Sequence, residues 1–131
     1  MPNILVVEDS SVMQVFYTQI LSRMTDYRVS FAKNGHQALR HIESHGVPDV
    51  VVLDVNMPEM DGLEFLARFK GQLPAPPARV IIVSTEGRDD DLKRGMDAGA
   101  SAYMTKPFKP EKLQELIRGF AAQARTAGAA R

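Results

Sequence analysis

The chain has 131 residues, enough for one domain around a single core but too few for that core plus a second folded module, so any output activity is expected to belong to this domain or to a separate partner. Sixteen basic residues balance sixteen acidic ones and no Lys/Arg-rich block interrupts the balance, so direct binding of nucleic acid is not expected. There is no cysteine, no leader-like amino terminus and no run near the roughly 18 apolar residues of a membrane span, which together point to a cytoplasmic protein without membrane insertion.

In chain order, the apolar run 4–7 reads as a first strand that ends at Glu8 and Asp9. Val12, Phe16 and Ile20 then recur at helical spacing, with Ser10 or Ser11 placed to cap the helix. Residues 27–32 form a second strand, and Gly35 opens a second helix with Ala38, Leu39 and Ile42 as its inner face, stopping near Gly46 and Pro48. The run 50–53 is a third strand ending at Asp54. Asp61 can cap a third helix with Leu63, Leu66 and Ala67 inward, and Gly71, Pro74, Pro76 and Pro77 cannot continue it. A fourth strand, 79–83, leads to Ser84, and a fourth helix follows over about 88–98 with Leu92 and Met96 as its main apolar residues. So thin an inner stripe predicts weak anchoring and easy displacement. A short fifth strand, 102–104, precedes Lys106, and Pro110 opens a last helix with Leu113, Leu116, Ile117 and Phe120 inward. The expected organisation is one domain over 1–122 and a flexible tail over 123–131.

Alternation of apolar runs with helical segments is the pattern of repeated βαβ units around a parallel sheet. Strands one, three and four are continuously apolar, as strands covered on both faces are, whereas 27–32 alternates and 102–104 is short. The latter two are therefore the edges. With right-handed crossovers the order becomes 2-1-3-4-5, an α/β fold with a doubly wound five-stranded parallel sheet of the flavodoxin type. Glu8, Asp9, Asp54, Ser84 and Lys106 then share its carboxyl edge, where open α/β folds bind ligands.

Three carboxylates held within about 5 Å of one another would repel by about 3 kcal/mol per pair at an effective dielectric of about 20. A bound cation relieves this. With oxygen ligands only, Mg²⁺ is the expected ion, and it commonly keeps waters and bridges to phosphate. Lys106 adds a mobile cation for a phosphoryl group and Ser84 a hydrogen bond to one of its oxygens.

The acidic pair Glu8-Asp9, the segment Asp54-Val55-Asn56-Met57-Pro58 with Asp61-Gly62 behind it, Ser84-Thr85, Tyr103 and Lys106-Pro107-Phe108 resemble the receiver domains of bacterial two-component response regulators. The resemblance spans residues 3 to about 120, in the family's order and spacing, and the stand-alone chemotaxis type is the nearer likeness. It implies a (βα)5 receiver fold in which Asp54 accepts a phosphoryl group from a phosphohistidine on a histidine kinase or phosphotransfer protein. It also implies Mg²⁺ bound by Asp9, Asp54 and the Asn56 carbonyl, with Glu8 acting through water, and phosphoryl oxygens held by Lys106. Ser84 and Tyr103 would form the switch, and Tyr103, Phe108 and Lys109 would lie on the face built by the fourth helix, fifth strand and last helix, which meets a downstream target. Asn56, Thr85 and Glu86 would tune dephosphorylation, with Asn56 and Glu86 favouring a short-lived phosphorylated state and the Thr85 methyl opposing it. The expected protein is not an enzyme beyond turnover of its own Asp54, and is a monomer or weak homodimer.

Three other readings compete. A degenerate receiver binding partners without phosphorylation would have no use for the intact set Glu8, Asp9, Asp54, Ser84 and Lys106. A haloacid-dehalogenase-like phosphatase with an aspartate nucleophile usually carries a second aspartate two residues on, where this chain has Asn56. A flavodoxin would need a phosphate loop where Glu8 and Asp9 repel phosphate. His41 and His45 have the spacing of a transition-metal pair, with His36 nearby, but beyond Glu43 no strong ligand stands beside them, and a solvated helix face is preferred.

Overall fold

Val50, Val51, Val52 and Leu53 carry no polar side chain, and all four are fully buried, as the middle of a sheet covered on both faces requires. The computed structural model describes residues 2–54, 68, 79–84, 89–97 and 99–129. Labelled in chain order among these residues, the elements are β1 (Asn3–Val7), α1 (Ser11–Leu21), β2 (Arg28–Ala32), α2 (Gly35–His45), β3 (Val50–Asp54), β4 (Arg79–Ser84), α3 (Asp89–Asp97), β5 (Ala102–Thr105) and α4 (Pro110–Ala129). The helix expected after Asp61 lies outside the described residues except for Arg68, which is helical.

The five strands form one sheet in the order β2-β1-β3-β4-β5, and every pairing is parallel. The doubly wound flavodoxin-like order read from the sequence is thus the observed one. Successive residues of a strand face opposite sides, and the core divides accordingly. Leu5, Val7, Val51, Leu53, Val80 and Ile82 pack with Ala38, Leu39 and Ile42 of α2, and Tyr103 joins them. Ile4, Val6, Val50, Val52, Ile81 and Val83 pack with Tyr17, Ile20 and Leu21 of α1 and with Leu113, Ile117 and Ala121 of α4.

Helix boundaries follow local chemistry. The Ser10 side chain caps α1 by accepting from the Met13 amide, and Asn34 caps α2 by accepting from Gln37. The α2 helix closes at Gly46, whose φ of 90° suits glycine because no Cβ opposes it.

Two expectations about helices need correction. Val12 is 78% exposed; the inner face of α1 is set by Met13, Phe16, Tyr17, Ile20 and Leu21, rotated from the stripe that starts at Val12. Leu92 and Met96 are also exposed, and among the described side-chain positions of α3, 92–97, the buried residue is Gly95. A Cβ at Gly95 would lie 2.9 Å from Ile82 Cδ1 and 3.1 Å from Tyr103 Cδ2, so α3 docks through its bare backbone. The last helix, α4, runs to Ala129. Ala, Gln and Arg after the last inward residue are strong helix formers, which accounts for the extension.

Candidate functional site at the carboxyl edge of the sheet

Register places the site. Val7 pairs with Leu53, so Glu8 and Asp54 stand at adjacent positions where β1 and β3 reach the carboxyl edge. On the other side of β3, Asp54 pairs with Val83, which puts Ser84 one residue beyond. Ser84 pairs with Thr105, and the Lys106 amide donates to the Ser84 carbonyl at 2.7 Å. With neighbouring strands about 4.8 Å apart, the four edge residues Glu8, Asp54, Ser84 and Lys106 follow one another across β1, β3, β4 and β5. The side chain of Asp54, and the whole of Asn56, Thr85 and Glu86, lie outside what is described.

Glu8 and Ser84 are the two buried side chains of polar or charged type among the described residues, at 1% and 0% exposure. A buried carboxylate is tolerated only when hydrogen-bonded or paired, and Glu8 Oε1 accepts from the Ser10 amide at 3.0 Å. Its backbone is held as firmly. The Glu8 amide donates to the Ala32 carbonyl at 2.9 Å, and the Gln14 side chain donates from Nε2 to the Glu8 carbonyl at 2.7 Å. Asp9, next in the chain, is exposed. A buried acid fixed at one oxygen beside an accessible acid is an all-oxygen donor set, and it fits a hard divalent cation such as Mg²⁺. Sequence reasoning did not find Gln14; its one signal was a polar side chain in the first turns of the helix that follows the acidic pair.

Lys106 is half-buried and joined to Pro107 by a cis peptide bond. Beside it opens a groove of about 370 Å³ lined by Met13, Phe16, Lys106, Pro107 and Phe108. Phe108 meets Phe16 edge-on at 5.8 Å and stacks with Tyr17 at 6.3 Å, so the segment after Lys106 is anchored to α1. Tyr103 packs on the opposite layer of the sheet, against Gly95 and Ile82. Of the residues expected on the partner face, Phe108 packs toward α1, Tyr103 toward α3, and Lys109 is exposed.

The His41 and His45 rings stack at 4.3 Å with their planes 16° apart. Imidazole lone pairs lie in the ring plane, so two stacked rings cannot aim at one ion, and His45 Nδ1 instead meets the His41 carbonyl at 3.2 Å. Among the described residues no three His, Cys, Asp or Glu side chains gather as a metal cluster, and no helix is long and apolar enough to cross a membrane.

The sequence profile of the response regulator receiver domain matches residues 4–118. The chain is 36% identical to the chemotaxis protein CheY of Bacillus subtilis over 114 residues, 87% of this chain and 92% of that one. Against the chemotaxis protein CheY1 of Helicobacter pylori identity is 32% over 114 residues, with the same 87% and 92% coverage. The solved structure of the chemotaxis protein CheY4 of Vibrio cholerae superimposes with a TM-score of 0.82 at 29% identity, covering 92% of this chain and 98% of that one.

Proposed function

This chain belongs to the response regulator receiver domain family, and from that premise we propose that it is a stand-alone regulator of the chemotaxis type, phosphorylated on Asp54. The donor is a phosphohistidine on a histidine kinase or phosphotransfer protein, and the outcome is altered affinity for a downstream target. The observation that supports this best is the shared carboxyl edge, where Glu8, Asp54, Ser84 and Lys106 follow one another on neighbouring strands.

In the transfer, an Asp54 carboxylate oxygen forms a bond to phosphorus while the bond from phosphorus to the donor imidazole breaks, and the imidazole leaves with the electron pair. Mg²⁺, when bound, offsets charge on the transferring group. Asp9, Asp54 and the Asn56 carbonyl would hold it directly. Glu8, with one oxygen engaged by the Ser10 amide, is suited to contact through a metal-bound water. The Lys106 ammonium pairs with phosphoryl oxygens, and the Ser84 hydroxyl donates to one of them. Chemistry of this kind is confined to the protein's own Asp54, with Asn56, Thr85 and Glu86 setting how fast the acylphosphate is lost.

Phosphorylation adds about two negative charges. Drawing Ser84 toward them frees space for Tyr103, which already lies half-buried against α3. The partner surface then centres on Tyr103 with the exposed Leu92 and Met96 of α3, on the face formed by α3, β5 and α4, and Lys109 borders it. Incubation with Mg²⁺ and acetyl phosphate should produce a labile mass gain of one phosphoryl group that is absent in Asp54→Asn and after chelation of the metal. An undiminished gain in Asp54→Asn would refute the assignment.

A further inference from the structure

Adjacent residues of an extended strand point to opposite faces, so Glu8 and Asp9 can serve one site only if the peptide between them departs from the regular strand direction. The structure holds that peptide from α1. Gln14 Nε2 donates to the Glu8 carbonyl at 2.7 Å, and the Gln14 amide donates to the Ser10 carbonyl at 2.9 Å. Ser10 in turn gives its own amide to the Glu8 carboxylate at 3.0 Å and takes the Met13 amide on its hydroxyl at 3.3 Å. One helical turn thus grips both ends of Glu8. A peptide unit is planar, so fixing the Glu8 carbonyl also fixes the Asp9 amide and Cα, the point from which the Asp9 side chain starts.

We propose that Gln14 is a positioning residue for Asp9: by locking the peptide between Glu8 and Asp9 it sets the affinity of the carboxyl-edge site for Mg²⁺. The inference rests on the magnesium reading of the proposed function. A purely structural role for Gln14 is separable from it, because Thr18 Oγ1 donates to the Gln14 carbonyl at 2.8 Å, a side-chain-to-backbone bond on the same helix that touches no residue of the site.

The test is a Mg²⁺ titration of the unphosphorylated 131-residue protein, followed by amide chemical shifts, with thermal melting recorded alongside. Gln14→Met keeps the length of the side chain without the donor, and Gln14→Ala serves as a second variant should the first fail to fold. Either should weaken Mg²⁺ binding by about fivefold to tenfold, the loss of one hydrogen bond that orients a metal ligand, whereas Thr18→Ala should stay within about twofold of wild type whatever it does to melting. Lower melting temperatures for the Gln14 variants with unchanged Mg²⁺ affinity would make Gln14 structural and overturn the inference alone. If the wild type itself binds no Mg²⁺, the magnesium reading falls and this inference with it.

Discussion

Ser84 and Glu8 sit where packing gives no reason for polarity: each ends or follows a strand of aliphatic residues, and each is buried. Desolvating a carboxylate opposes folding unless other groups hold it, so retention of an acid at position 8 is better explained by a use for its charge. Glu8→Gln keeps an acceptor for the Ser10 amide and removes the charge. We expect unchanged or slightly higher stability in urea denaturation, with Mg²⁺ affinity lowered by about tenfold. A large loss of stability would mean that Glu8 is structural. The chemistry at this scale was legible because receiver-like motifs specify residue types at fixed places. What the sequence left open was the scaffold around them, since nothing in its pattern marks Gln14 as reaching back to Glu8 or Phe108 as packing on α1.

At the scale of elements, strands were easier to read than helix faces. A strand covered on both sides is apolar through its middle, as β1, β3 and β4 are over residues 4–7, 50–53 and 80–83; a short helix leaves a choice between neighbouring faces, and Val12 lies on the exposed one. The docking of α3 through Gly95 leaves no hydrophobic signature at all. Gly95→Val would drive a branched side chain against Ile82 and Tyr103, and we expect a loss of about 2 kcal/mol in urea denaturation together with a displaced Tyr103 ring signal. On α2, burial and then the charge of nearby His45 hold His41 below its ordinary pKa of 6.5. Around and below pH 6.5 the unfolded chain therefore takes up a proton that the folded chain resists. Stability should be unaffected by this group above that range and should fall as pH drops through it, and His41→Gln should flatten that part of the profile. Denaturation midpoints from pH 5 to 8 in wild type and variant give the comparison.

For the whole molecule, the core divides into two layers, one on each face of the sheet. The layer under α1 and α4 holds Phe108 behind Lys106, and the layer under α2 and α3 holds Tyr103 beside Gly95. Under the proposed function, a change at the carboxyl edge would reach α1 through the segment after Lys106 and α3 through β5. The sheet order that creates this arrangement was deducible from which runs are continuously apolar. The length of α4 was not, because a segment of Ala, Gln and Arg is compatible with either a frayed end or a prolonged helix, and helix propensity decided it. The most direct test of the central claim is an amide chemical-shift map on adding Mg²⁺ and then the phosphate mimic beryllofluoride. The account predicts first-step changes concentrated at Glu8, Asp9 and Asp54, and second-step changes extending to Ser84, Tyr103 and Lys106. Changes confined to other parts of the molecule, or none at saturating concentrations, would contradict it.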